Sequence, residues 1–157
     1  MLDLYVEFRQ LVLRLHQEDI DFALCGGLAM AVYGKPRATI DIDLLILSES
    51  LEPVLSVAAD LGYNIRGRDL SFAAGAVEIR RVSKIDPDSR DLLSLDLLLV
   101  TPEILAVWQS RTSAKWEGGN LPVVSRQGLI TLKRLRGSSR DIEDIEELEE
   151  EMPDAQS

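Results

Sequence analysis

Hydrophobic positions recur along this chain with two periods, and the alternation between them sets out its elements. Over residues 2–18, Leu4, Phe8, Leu11 and Leu15 fall three and four apart, which predicts an amphipathic helix. Asp21-Phe-Ala-Leu-Cys25 is a short apolar run that stops at Gly26-Gly27, and it predicts a strand. Leu28 to Tyr33 follows as a short helix, closed by Gly34 and broken by Pro36. From Thr39 to Leu47 the period becomes two. Ile40, Ile42, Leu44 and Ile46 share one face of this predicted strand, and Asp41 and Asp43 share the other. Ser50 to Leu61 is a second amphipathic helix, with Gly62 just past its end.

The second half is read the same way. Ser71 to Val82, interrupted by Gly75, and Leu92 to Val100 are rich in strand formers, and the charged, Pro87-containing segment 84–90 between them is a loop. Thr101-Pro-Glu opens a helix, with Thr101 as N-cap and Pro102 in the first position. Residues 111–120 are polar, end in Gly-Gly-Asn and read as a loop. A helix over Gln127 to Leu135 stops at Gly137-Ser-Ser, and a last helix from Asp141 buries Ile142, Ile145 and Leu148. The order α-β-α-β-α-β-β-α-α predicts an α+β (mixed α/β) fold, a mixed sheet flanked by helices. Residues 1–120 form its core, and 121–157 add C-terminal helices and an acidic tail packed on that core.

Composition narrows the class without naming a function. A length of 157 residues, with 46% hydrophobic and 28% charged residues, suits one globular domain with its own core. Cys25 is the single cysteine, so there is no disulfide framework. The start MLDLYVEFRQ carries Asp3 and Glu7 and no basic stretch, unlike a signal peptide. No apolar run reaches the ~20 residues that span a bilayer. A cytoplasmic protein with no membrane partner is expected. The net charge of −10 argues at first against nucleic acid, but it is uneven. Nine acids and no base lie from Asp141 onward, and residues 1–140 hold 18 acids against 17 bases. The body is nearly neutral and leaves room for a basic rim.

The chemistry concentrates in Cys25-Gly-Gly-Leu-Ala-Met-Ala-Val-Tyr-Gly-Lys-Pro-Arg-Ala-Thr-Ile-Asp-Ile-Asp43. Residues two apart on a strand project from one face, about 7 Å apart. Two carboxylates so placed repel each other and stay ionised at low cost only beside a positive charge. Hard oxygen ligands on a rigid strand suit Mg²⁺, which takes one or two carboxylates together with substrate phosphates. A bare Asp-x-Asp more often decorates an edge strand, and here its surroundings change the weighting. Gly26-Gly27 lets backbone N–H groups approach phosphate closely. Lys35 and Arg37 are cations beside that turn. Asp96 sits inside Leu-Leu-Ser-Leu-Asp-Leu-Leu-Leu-Val, where a charge is costly unless paired or metal-bound. Three strand-borne carboxylates are enough to hold two ions for in-line phosphoryl chemistry. Glu78 is the rival third carboxylate. His16 reads as a surface residue, Cys25 as packing beneath the glycine turn, Trp108 and Trp116 as caps on the core or an interface, and Asp141 and Asp144 as helix N-terminal charges, with orienting Lys133 or another basic side chain as the alternative.

This pattern resembles the nucleotidyltransferase superfamily, the DNA polymerase β-like fold, and within it the AbiEii-type toxin and minimal bacterial branch. The resemblance is carried by Gly26, Gly27, Ala29, Gly34, Arg37, Thr39, Asp41 and Asp43. A second stretch supports it: Leu121-Pro-Val-Val-Ser125, Leu129-Ile-Thr-Leu-Lys133 and Arg140-Asp141-Ile-Glu-Asp144. It spans residues 20–148. It implies that Asp41 and Asp43 bind two Mg²⁺ ions, with Mn²⁺ as a substitute, and that Asp96 holds the catalytic ion and activates the attacking hydroxyl. It also implies that Gly26 and Gly27 hold the β- and γ-phosphates of a nucleoside triphosphate. Lys133 would reach the triphosphate, Thr39 would join the nucleotide site, and Arg37 would neutralise phosphate or position the acceptor. The pattern departs from the group at Ser138, which follows Gly137 where Arg is common, and Arg136 or Arg140 would substitute.

The reaction so implied moves a nucleoside monophosphate to a hydroxyl on an RNA end such as tRNA, a protein side chain or a small molecule. A role in abortive infection or a toxin–antitoxin pair, with a protein partner or a second copy, is in keeping with it. The alternatives are a catalytically degenerate binding protein of the same fold and a γ-phosphotransferase.

Overall fold

Asp3 starts the first helix of the computed structural model, which describes residues 1–36 and 38–150. Its carboxylate accepts from the backbone N–H groups of Tyr5 and Val6 and caps α1 (Leu4–Gln17). Phe8, Leu11, Val12 and Leu15 are buried on one stripe, as the spacing predicts. From there the chain runs through β1 (Ala23–Cys25), α2 (Gly26–Val32), β2 (Asp41–Ile46), α3 (Leu51–Asp60), β3 (Ile65–Arg66), β4 (Leu70–Phe72), β5 (Val77–Ile85) and β6 (Leu92–Leu99). Then come α4 (Leu105–Gln109), β7 (Thr112–Trp116), β8 (Gly119–Val123), α5 (Arg126–Arg136) and α6 (Ser139–Glu150).

The described residues form an eight-stranded mixed sheet in the order β3-β5-β6-β2-β1-β8-β7, with β4 also paired to β5. β2 lies at its centre, parallel to β6 and antiparallel to β1. Ile42, Leu44, Leu45 and Ile46 are all fully buried, so both faces of β2 beyond Asp43 are covered. No helix among the described residues is long and apolar enough to cross a membrane.

Four local expectations change. Ile40 precedes β2 and is 74% exposed, so the strand begins at Asp41 and not at Thr39. Residues 111–120 are not a loop: β7 and β8 form an antiparallel hairpin around Glu117-Gly118, both at positive φ. Two positive φ values in a two-residue turn match the twist of the flanking strands, and Gly supplies one at no steric cost. β8 then pairs in parallel with β1, so the sheet continues past residue 120. At Thr101 a 3-10 turn, Pro102–Ile104, precedes α4, and the Thr101 hydroxyl donates to the Ala76 carbonyl instead of capping. On α6, Ile142 is 53% exposed, while Asp141, Asp144 and Leu148 are buried. Leu148 and the partly buried Ile145 face inward as the spacing predicts, and Asp141 and Asp144 join them in place of Ile142 because those polar side chains have partners.

Candidate active site

Register assembles the site. Cys25 of β1 pairs with Asp43 of β2, Asp43 pairs with Asp96 of β6, and Asp96 pairs with Arg81 of β5. Asp41 is two residues before Asp43 and shares its face. The three candidate carboxylates therefore stand together. They border a cavity of about 170 Å³ that Gly26, Gly27 and Thr39 also line. Its opposite wall comes from the α5–α6 junction, through Lys133, Arg136, Ser138, Arg140 and Asp141. A larger hollow of about 630 Å³ lies elsewhere, beside Arg14, Glu49 and Asp60, and holds none of the candidate residues.

Gly26 is required by space and by conformation. Its φ is +67°, and a Cβ built on it would lie 2.1 Å from Asp43 Oδ2. Asp43 thus tucks against the first residue of α2 with no room for a side chain. Gly26→Ala is expected to displace the Asp43 carboxylate and lower turnover by about 10²-fold, the usual effect of moving a reacting group by about 1 Å. A steady-state assay alongside a melting curve checks this, and near-normal turnover in a folded variant would count against the site. Gly27 is nearly as confined: a Cβ there would meet Thr39 Oγ1 at 2.9 Å.

Charge accumulates on the carboxylate side. Asp43 is 7% exposed and Asp96 3%. Burial, then repulsion from Asp96, pushes the Asp43 carboxyl up to about 7. Asp41 is raised for the same two reasons in the same order. Burial first, then the neighbouring Asp43 charge, raises the Cys25 thiol well above its ordinary value, which suits a packing residue better than a nucleophile.

The basic wall is tightly arranged. Ser138 and Asp141 form a reciprocal cap at the start of α6: Asp141 N–H donates to Ser138 Oγ at 3.1 Å, and Ser138 N–H and Oγ donate to Asp141 Oδ2. Lys133 is 5% exposed and donates to Asp144 Oδ2 at 2.8 Å, with Asp141 Oδ1 at 4.0 Å. Asp141 and Asp144 lie at the N-terminal end of α6 and are buried as partners of Lys133, with Asp141 also in the helix cap, in keeping with the alternative that they orient Lys133. Arg140 donates to the Ala38 carbonyl and ties α6 to the segment before Thr39. Arg37 lies outside the described residues.

The profile of the family described as "Nucleotidyl transferase AbiEii toxin, Type IV TA system" matches residues 10–103, a span that contains all three aspartates and the glycine turn. The chain belongs to the AbiEii nucleotidyltransferase family. No curated protein sequence matches it. Solved structures share its fold at low identity. The lincosamide antibiotic adenylyltransferase LnuA, lincomycin-bound, is 12% identical with a TM-score of 0.61, over 93% of this chain and 96% of that one. ANT(2")-Ia in complex with adenylyl-2"-tobramycin is 15% identical with a TM-score of 0.58, over 92% and 91%. JHP933 from Helicobacter pylori is 18% identical with a TM-score of 0.57, over 94% and 67%.

Nucleotidyltransferases of this kind use divalent metals, and the donor set of this AbiEii chain fits one. Its oxygens are hard, and Asp41, Asp43 and Asp96 border one cavity from neighbouring parallel strands. Gly26 gives the Asp43 carboxylate the space that a side chain would otherwise fill. Among the described residues no three acidic, His or Cys side chains are already gathered at ligand spacing. Asp96 is instead engaged by Arg81, whose Nε and Nη2 donate to its two oxygens at 2.7 and 2.8 Å.

Arg81 is the site residue that the AbiEii pattern did not single out, whereas Arg136 enters that pattern as a substitute for the arginine common after Gly137. Arg81 had one available signal: residue 81 follows the alternation of β5 onto the same face as Val77 and Ile79, where a cation needs a partner. Glu78 stands on the other face of β5, holds Ser71 and Arg80, and does not line the cavity. His16 is exposed, Trp108 is 8% exposed under Arg111, and Trp116 packs edge-on against Phe8.

Proposed function

We propose that this chain is a Mg²⁺-dependent nucleotidyltransferase that moves a nucleoside monophosphate from a triphosphate to a hydroxyl acceptor, with release of pyrophosphate. One observation carries the reading: Asp43 and Asp96 sit abreast on parallel strands, with Asp41 on the same face, at the mouth of a glycine turn. Asp41, Asp43 and Asp96 would hold two divalent ions, with Mn²⁺ able to replace Mg²⁺. Such ions polarise the phosphoryl oxygens and steady the attacking and leaving oxygens of an in-line displacement.

The chain's own side chains then have separable tasks. Gly26 and Gly27 bring backbone close to the triphosphate, and Thr39 packs beneath Gly27. Lys133 faces the phosphates from α5 and is fixed by Asp144, while Arg136 and Arg140 add positive charge at the rim. Asp96 accepts the proton of the acceptor hydroxyl. The protein does little covalent chemistry: catalysis rests on positioning and on charge neutralisation.

The fold-sharing LnuA and ANT(2")-Ia structures contain an antibiotic or its adenylyl product, so a small-molecule hydroxyl stands beside RNA ends and protein side chains as acceptor. The test uses the whole chain with Mg²⁺, cell extract and each of the four triphosphates, labelled at the α- or γ-phosphate in parallel. Label transferred from the α-position with pyrophosphate release is expected. Transfer from the γ-position alone makes the protein a phosphotransferase, and no transfer from either makes it a binding protein of the same fold.

A further inference from the structure

Asp96 is the most buried of the three aspartates at 3% exposure, and a carboxylate at that depth needs a cation. The cation it has is Arg81. Register sets Arg81 directly across from it, and the guanidinium meets both oxygens in the two-pronged geometry that makes such pairs strongest. Asp41 and Asp43 add their own attraction to the same guanidinium. A single side chain thus already neutralises the carboxylate that the reading above assigns to the catalytic ion.

We propose that Arg81 is a built-in counter-cation that competes with the divalent ion for Asp96, so that loading the site requires its guanidinium to swing off the carboxylate. The proposal rests on the reading of Asp41, Asp43 and Asp96 as metal ligands. Two observations support it. The two partners differ in freedom: the Arg81 side chain is 38% exposed and that of Asp96 5%, so the arginine has solvent to move into and the aspartate does not. The Arg81 stem also runs past Gly67, where a Cβ would lie 3.2 Å from Arg81 Cγ, and the missing side chain leaves the stem room to rotate.

The cations that line the cavity are held differently. Lys133 is on Asp144, Arg140 is on a backbone carbonyl, and Arg136 lies 3.9 Å from Asp141 with its guanidinium over the Phe72 ring. Among the described residues Arg81, reaching Asp96 from outside the cavity lining, is the cation seated on a proposed ligand of the ion. Its role is therefore opposite to that of a positioning residue: it lowers metal affinity in the resting protein by keeping Asp96 occupied.

The test is calorimetric titration of Mn²⁺ into the full, chelator-stripped chain, without nucleotide, for wild type, Arg81→Gln and Arg81→Lys. Arg81→Gln is expected to bind at least about tenfold more tightly than wild type. Arg81→Lys should fall between them, because an ammonium lacks the planar fork that grips both oxygens. If Arg81→Gln fails to fold, Arg81→Lys decides alone, and tighter binding than wild type is expected. Equal or weaker binding by a folded variant, with wild type binding normally, overturns the proposal and leaves the metal reading standing; Arg81 would then be aligning Asp96 for the ion. No binding by any of the three removes the metal reading and this proposal together.

Discussion

Replacing Asp43 with Asn is expected to lower nucleotidyl transfer by about 10³-fold or more and, in the metal-free protein, to raise the melting temperature at pH 8. The first effect follows from removing a carboxylate from a site whose work is to hold charge against phosphate, a contribution of several kcal/mol. The second follows from where Asp43 sits. It is buried and abreast of Asp96, and burial first and that repulsion second push its carboxyl from 3.8 up to about 7. A group whose pKa is raised by folding binds its proton more tightly in the folded chain. The stability it gives is fully present below about pH 4 and is lost as pH rises through 7, by roughly 4 kcal/mol in all. Asn does not ionise and avoids this loss. Metal-free wild type should therefore melt lower at pH 8 than at pH 5, with a weaker dependence in Asp43→Asn. Asp41, raised in the same direction, supplies part of what remains. Melting curves in chelator across pH 5–8, beside an activity assay with Mg²⁺, check both halves. Equal slopes for the two proteins, or normal turnover by the variant, would sink the assignment.

The stretch from Cys25 to Asp43 was legible because its signals are local. A strand, a glycine bend, a short helix and an Asp-x-Asp strand each have their own period, and the apolar run around Asp96 marked a charge that had to have a purpose. Their convergence on one cavity follows from β2 and β6 being neighbours. What stayed hidden is non-local. The partner of Asp96 comes from 15 residues upstream and is fixed only by antiparallel register. The β7–β8 hairpin was masked by its polar residues, although Ala114 and Trp116 alternate toward the core and Glu117-Gly-Gly marks the turn. α6 misled for the reverse reason: two of its inward positions are acids, which hydrophobic periodicity assigns to solvent until their lysine is known.

That lysine yields the second large effect. Asp144→Ala is expected to destabilise the chain by about 3–5 kcal/mol, the usual consequence of removing one partner from a buried ion pair. Lys133 would keep only Asp141, 4.0 Å away, at 5% exposure. Asp144→Asn should cost less, since an amide oxygen still accepts from the ammonium. A stability change alone does not distinguish a structural pair from one that aims Lys133 at phosphate, so the pair must be removed together. In Lys133→Met/Asp144→Leu two apolar side chains of similar reach replace the charges, and such replacements leave stability near wild type or above it. Denaturant unfolding of the two single variants and the double variant should therefore show a coupling of several kcal/mol, with the double close to wild type. Triphosphate binding should behave otherwise. If Lys133 serves the nucleotide, the double variant regains its fold and not its affinity, and KM for the triphosphate stays raised about tenfold or more, the scale of one charge-assisted hydrogen bond. Recovery of both stability and KM in the double variant would reduce Lys133 and Asp144 to a brace between α5 and α6.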